Sequence, residues 1–502
     1  MLRQPTALDD GWYDLLVVGG GIYGAWMAYD AALRGLRVAV VEKTDWGAGT
    51  SSASSKLIHG GLRYLEYGHI GLVKKTLQER SRLLRLGPHR VWPLRFIMPL
   101  TETSRAGRFA MTIGLQLYDH LAGRDANVPG HRYLMRDEML AHQSWAVTPN
   151  VRGGFHYSDA GTDDARMTLE IISGAMQAGA VAINHATFTA LERDHHGVIV
   201  GGKILDTITD RTHMVHARVT VLSAGPWCAQ ILGREPGPVQ YSKGVHLVMP
   251  PLPGPSHQAV LLTAPQDRRV FFLIPWYGAT LLGTTDTHYQ DEPQDVRVEE
   301  SDIAYLLHAV AARCPELGWS VSDVRGSFAG LRSLVGHSSA GVGSASREWA
   351  LIEEEKQLLV SVGGKLTSAR VEAALTVDRC FQMLHGSQMI NKRAHKSVTA
   401  QRIFPWATTE PWAIWYDRTR SLGQKLGLDA STAAHSARRY GSRIDLLFME
   451  LRRDPHLAQR IDPRYPFCHG EVMVARQHEM ALTDDDVFRR RIPLNLLRRN
   501  GY

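Results

Sequence analysis

Residues 13–42, YDLLVVGGGIYGAWMAYDAALRGLRVAVVE, decide the fold of this chain. Tyr13 to Val18 form an apolar run of strand length, and GGGIYG (Gly19 to Gly24) follows at once. AWMAYDAALRGL then has helical spacing, with Ala28, Ala31 and Ala32 on a face small enough to pack closely on a sheet. RVAVVE reads as a second strand that ends at Glu42. Strand, glycine turn, helix, strand and terminal acid together make a dinucleotide-binding pattern in which each part has a task. Gly19 allows the tight turn, Gly21 lets backbone approach a pyrophosphate, and Gly24 lets helix and strand pack closely. The helix N-terminus offers N–H groups and positive potential to the phosphates. Glu42 would accept hydrogen bonds from ribose hydroxyls. The pattern alone accommodates FAD or NAD; its place near the N-terminus of a long chain with no second such motif favours FAD.

The remaining sequence bounds what surrounds this unit. A chain of 502 residues, 44% hydrophobic and 21% charged, without repeats or low-complexity tracts, predicts a globular protein of roughly two to four domains. MLRQPTALDD lacks the apolar centre of a signal peptide, and no run approaches the length needed to span a bilayer, so export by this route is not expected. Cys228, Cys314, Cys380 and Cys468 have no CxxC spacing, which fits a reducing compartment and structural thiols and gives no metal site. The formal charge is +7, with the excess concentrated late in the chain. An imbalance of that size fits a solvated face and selects no class of partner by itself.

Two further strands have glycine exits. VTVL runs into Ser223, Ala224 and Gly225, and QLLVSV runs to Gly363 and Gly364 before a helix with Thr367, Ser368 and Arg370 near its start. Three strand ends of this kind can converge on one ligand. Between them, YSKGVHLVMP (241–250), RVFFLIPWYGATLLGTTDT (269–287) and FAGLRSLV (328–335) read as strands of an antiparallel sheet. The expected fold is α/β (α+β): a Rossmann-like FAD-binding domain interleaved with an antiparallel-sheet substrate domain, then a C-terminal helical domain over 391–502. Within 1–390 the cofactor domain is expected at about 12–80, 150–230 and 350–385, and the substrate domain at about 81–149 and 231–349.

GGGIYG, TSSASSKLIHGGLRYLE (50–66), LYDHLAG, YSDAGTDDAR, AGPW, KGVHLVMP, IPW with GTTDT, VGGKLTSAR, RRYGSRI and HEMALTDDDVFRRR follow one another along almost the whole chain. In this order they resemble the FAD-dependent glycerol-3-phosphate dehydrogenases, the aerobic respiratory enzymes. The resemblance implies oxidation of sn-glycerol 3-phosphate at C2 to dihydroxyacetone phosphate, with electrons passed to a membrane quinone. It also implies a cytoplasmic protein held peripherally on the inner membrane.

On this resemblance the stretch from 50 to 66 threads from cofactor to substrate. Thr50, Ser51 and Ser52 would follow the pyrophosphate, Lys56 and Leu57 would lie near the flavin ring, and His59, Arg63 and Tyr64 would reach the substrate. Ala224, Gly225, Gly364, Leu366 and Thr367 complete the expected cofactor contacts. Hydride removal from C2 requires a base for the hydroxyl proton, and histidine titrates in the right range; His59 ranks first and His246 second. Arg63, Arg332, Arg347 and Lys365 suit a phosphate dianion, and Arg332 would also steady charge developing on the C2 oxygen. The chain departs from the family at Ser333, where a proline usually follows the arginine, and in GHSSAGVGSAS (336–346), which is short of acids. RAGRFAMTIGLQLYDHL (105–121) is a candidate interfacial element, the basic C-terminal segment is a candidate for an anionic membrane surface or for a homodimer contact, and no nucleic-acid motif is present. Two other readings stand beside the dehydrogenase: an oxidase that delivers electrons to O₂, and a catalytically retired flavoprotein with a regulatory role.

Overall fold

In the computed structural model, Trp12–Val18 pairs in parallel with Val38–Val41 on one side and with Arg211–Leu222 on the other. The structure describes residues 1–101, 107–123, 128–142, 145, 151–235, 239–254, 258–336, 348–386 and 395–498. The first sheet continues through Leu358–Gly363 and Trp349–Glu355 at one edge and Val181–Ile183 at the other. Ala186–Arg193 and Ile199–Asp206 form an antiparallel excursion on Arg211–Leu222, with Asp206 opposite Arg211. Helix Ile22–Leu33 makes the crossover, and its buried Ala25, Ala28, Ala31 and Ala32 let it nest against helices Asp164–Gln177 and Ala369–His385. Small side chains there permit close helix approach, while Leu15, Val17, Val38 and Val40 bury the sheet face beneath.

This topology sets the three glycine exits side by side. Leu358–Gly363, Arg211–Leu222 and Trp12–Val18 are consecutive in the sheet and parallel, so Gly363–Gly364, Ser223–Gly225 and Gly19–Gly21 emerge at the same edge. Ligands of open parallel sheets bind outside those carboxyl ends.

The second sheet runs Thr287–Tyr289, Val239–Met249, Ala279–Gly283, Val270–Trp276, Ala259–Thr263, Val91–Thr101, Val151–Thr162 and Leu57–Ile58, with Gly326–Val335 also paired to Val239–Met249 and Arg132–Met135 to Val151–Thr162. It is antiparallel except where Ala259–Thr263 meets Val91–Thr101. Two segments therefore lie outside the expected division. Val151–Thr162, placed with the cofactor domain by its sequence position, pairs along its length with Val91–Thr101, and Leu57–Ile58 joins it on the same sheet. The cofactor unit resumes at the helix that Asp163 caps by accepting from the Arg166 N–H.

The C-terminal segment is helical through Trp412–Lys425, Ala430–Tyr440, Ile444–Arg453 and His469–His478. Near its end, Thr483 Oγ1 accepts from the Asp486 N–H at 3.1 Å at the start of the helical turn Asp486–Arg491. Arg166 grips Glu479 at 2.6 and 2.8 Å, and Arg490 and Arg491 both reach the buried Asp45. Arg439, Arg490 and Arg491 are thus spent on internal ion pairs and contribute nothing to a basic outer face. Among the described residues no helix is long and apolar enough to cross a membrane.

Candidate functional site

A cavity of about 760 Å³ opens between the two sheets, lined by the glycine exits of the first and, on the second, by Leu57, Gly244, His246 and the run Gly330 to Leu334. On its cofactor side the glycines are required by space. Gly19 has φ +112°, and a Cβ there would lie 2.5 Å from the Ser223 carbonyl oxygen; one on Gly24 would lie 1.9 Å from the Gly19 carbonyl oxygen. Gly21 caps helix Ile22–Leu33 without a side-chain bond, which leaves the first turn facing the cavity. Glu42 lines the same cavity, and its carboxylate accepts from the Gly20 N–H at 2.7 Å and the Thr44 N–H at 3.0 Å; burial raises its pKa. The cradle fits a dinucleotide: a turn with no Cβ, a helix N-terminus and an acid at the second strand's end.

The segment Thr50–Ser52 is a short 3₁₀ turn pressed onto this cradle. Thr50 Oγ1 donates to the Leu331 carbonyl at 2.7 Å, and Ser51 Oγ accepts from the Ile22 N–H at 2.8 Å, so both line the cavity. Ser52 does not line it; its carbonyl accepts from Lys56 Nζ at 3.1 Å. Lys56 also departs from its expected place. Its ammonium turns into the protein, 2.6 Å from Asp164 Oδ1, and Leu57 alone of that pair lines the cavity.

On the second sheet, period two puts Ser242, Gly244 and His246 on one face and Phe328, Gly330 and Arg332 beside them, in the register Ser242–Arg332, Gly244–Gly330, His246–Phe328. The His246 ring stacks on Phe328 at 5.0 Å, and its Nε2 meets Ser55 Oγ at 2.8 Å. Burial, then the charges of Arg332 and Lys56, push its pKa down to about 3. His246 is therefore neutral at working pH and a weak base. His59 is half-buried and lines the cavity; its backbone N–H donates to Thr367 Oγ1 at 3.1 Å. Lys365 sits over the Tyr64 ring at 4.5 Å, and both line the cavity.

The structure thus brings together His59, Tyr64, His246, Arg332 and Lys365 with the cofactor cradle, including Ala224, Gly225, Gly364, Leu366 and Thr367. Arg63 is not among them: it points to Tyr67, whose hydroxyl it meets at 3.3 Å. Arg347 and residues 337–346 of the acid-poor stretch lie outside the described residues. Sequence reasoning missed Tyr23, whose hydroxyl accepts from the Lys365 N–H at 2.9 Å and bonds Glu372. It also missed the wall Ala186–Thr189, a strand start with no glycine or charge to announce it.

The pKa of His246 separates the two histidines experimentally. With the His246 pKa pushed down to about 3, an acid limb of kcat/KM between pH 5 and 8 is expected to persist in His246→Asn. A limb that vanishes with His246→Asn would assign the base to His246 instead.

Comparison with known proteins places this geometry. Residues 14–379 match the family model described as FAD dependent oxidoreductase, and residues 397–501 match the C-terminal domain of alpha-glycerophosphate oxidase. The chain is 32% identical to the aerobic glycerol-3-phosphate dehydrogenase of Staphylococcus aureus over 497 residues, 95% of this chain and 86% of the relative. The glycerol-3-phosphate dehydrogenase from Bacillus halodurans complexed with FAD superposes with a TM-score of 0.78 at 29% identity, covering 98% of this chain and 88% of that one. L-alpha-glycerophosphate oxidase from Mycoplasma pneumoniae with FAD bound shares the fold, with a TM-score of 0.57 at 17% identity over 74% of this chain and 95% of that one.

Proposed function

The chain belongs to the FAD-dependent glycerol-3-phosphate dehydrogenase and oxidase family, and from that premise we propose that it oxidises sn-glycerol 3-phosphate to dihydroxyacetone phosphate and passes the electrons to a membrane quinone. The observation that carries this reading is the meeting of Arg332, Lys365, Tyr64 and two imidazoles in the cavity that also holds the glycine cradle. FAD, held by Gly19, Gly21, Glu42, Thr50, Ser51, Ala224, Gly225 and Gly364, supplies the acceptor for the hydride that leaves C2. The protein's own groups then have three tasks. Arg332 and Lys365 bind the phosphate dianion, and the fork of Arg332 steadies negative charge on the C2 oxygen. His59 takes the hydroxyl proton, and neutral His246 orients that hydroxyl by hydrogen bonding.

A quinone acceptor requires a lipid-facing surface. Helix Arg108–Ala122 supports one: Leu115 and Tyr118 are buried in the core, while Phe109 is 79% and Ile113 50% exposed one turn apart. Met135, 71% exposed, follows Tyr133, over whose ring Arg108 stacks at 3.8 Å. Apolar tips beside a cation suit an anionic membrane interface.

The test is anaerobic mixing of purified holoprotein with sn-glycerol 3-phosphate while the flavin band is followed. Rapid bleaching is expected, and about a thousand-fold weaker response to glycerol, since two charge-assisted phosphate contacts are lost at about 2 kcal/mol each. Equal bleaching by glycerol would sink the phosphate assignment, and no bleaching would leave the retired flavoprotein. Faster recovery with a soluble quinone than with O₂ is expected; the reverse would make the protein an oxidase.

A further inference from the structure

We propose that Asp286 is a positioning residue that, with Thr284, holds the Arg332 guanidinium across Gly244 in the orientation that meets an anionic substrate. The proposal rests on the reading of Arg332 as the arginine that binds glycerol 3-phosphate.

Arg332 lies in strand Gly326–Val335, and its long side chain has many rotamers. The strand fixes the Arg332 backbone, and the orientation of its guanidinium comes from the side chain's own contacts. Three acceptors from GTTDT supply them. Nη2 donates to Thr284 Oγ1 at 3.0 Å, Nη1 to the Thr285 carbonyl at 3.3 Å, and Nη1 lies 3.4 Å from Asp286 Oδ1. Asp286 is itself buried and braced: Oδ1 accepts from Ser242 Oγ, and its carbonyl accepts from Arg269.

Gly244 completes the seat. A Cβ there would lie 2.4 Å from Arg332 Nη2 and 2.7 Å from Cζ, so the guanidinium rests flat on backbone that only glycine leaves bare. Asp286 and Thr284 draw the fork over that bare strand toward the cavity that Gly244 and Arg332 both line. The Asp286 carboxylate at 3.4 Å steers the cation by charge, alongside the Thr284 hydroxyl and the Thr285 carbonyl. Among the described residues that line the cavity Arg332 is present and Asp286 is not, so Asp286 acts through Arg332.

A double-mutant cycle on the FAD-loaded protein tests this, with wild type, Asp286→Asn, Arg332→Gln and the double variant titrated anaerobically with sn-glycerol 3-phosphate and, separately, with inorganic phosphate read as a perturbation of the flavin spectrum. Asp286→Asn is expected to raise KM and the apparent phosphate Kd about tenfold, with kcat changed less than threefold and flavin content unchanged. On the Arg332→Gln background the same change is expected to cost nothing further. Losses that multiply across the cycle, or an Asp286→Asn protein within twofold of wild type, would overturn the proposal. If wild type itself fails to bleach with glycerol 3-phosphate, the functional reading falls while the phosphate arm still reads the Asp286 contact. Should Asp286→Asn not accumulate, Thr284→Ala, which removes the Nη2 acceptor, is read in the same cycle with the same outcomes.

Discussion

Arg332→Gln is expected to lower kcat/KM for sn-glycerol 3-phosphate by about a thousand-fold, the largest catalytic loss from a single side chain in this protein. Two effects add. A charge-assisted contact to the phosphate is worth about 1.5–3 kcal/mol, and a donor aimed at the C2 oxygen adds stabilisation that grows as negative charge develops. Gln retains a donor but neither the fork nor the charge. Arg332→Lys restores charge without planarity and is expected to recover about tenfold of the loss. Stopped-flow reduction of the flavin across substrate concentrations separates binding from the bleaching step. A loss under tenfold in Arg332→Gln, with flavin content intact, would move the phosphate site away from this strand.

How much of this was legible in the sequence depends on the range of each signal. Gly19, Gly21, Gly24 and Glu42 sit in one local pattern that contains the Gly24–Gly19 approach and the Glu42–Gly20 bond, so they could be read directly, although the Ser223 carbonyl that crowds Gly19 comes from far along the chain. His246 and Arg332 lie on stretches that read as strands, and the period of two fixes which face they share once the strands pair. Lys56 could not be placed in this way. It stands in a run of cavity residues, yet its φ is +56° and its ammonium finds Asp164, more than a hundred residues later. Both were visible as motif members, but their attraction is a tertiary fact. Arg63 likewise belongs to GGLRYLE, but in the 3₁₀ turn Leu62–Tyr67 it is Tyr64 that enters the cavity and Arg63 that turns to Tyr67. The second-sheet strand Val151–Thr162 was assigned to the wrong unit because it precedes helix Asp164–Gln177 in the chain, and adjacency in sequence carried more weight than its pairing with Val91–Thr101.

The mispredicted lysine also gives the largest expected stability effect. Lys56 and Asp164 are 5% and 0% exposed at their side chains and 2.6 Å apart. Asp164 Oδ2 accepts from Ser54 Oγ at 2.7 Å, and Lys56 Nζ stands 5.3 Å from the centres of the Trp276 and Phe328 rings. The pair ties the loop that carries Thr50 and Ser51 to the first turn of helix Asp164–Gln177, joining the cofactor loop to the core. Asp164→Ala removes the carboxylate and strands an ammonium without its counter-charge, at an expected cost of about 3–5 kcal/mol. Lys56→Met is expected to cost less, about 1–2 kcal/mol, because Asp164 keeps its Ser54 donors and the favourable field of a helix N-terminus. The double variant Lys56→Met/Asp164→Ala should then be more stable than Asp164→Ala alone, since its buried charge is gone and an apolar side chain fills the space between the two rings. Urea unfolding of the FAD-loaded protein reads all three, and flavin release at fixed urea should follow the same order because the anchored loop belongs to the cradle. Equal losses in the two single variants, or no recovery in the double, would show that the pair is held by packing around it and that its charges are not what fastens the cofactor loop.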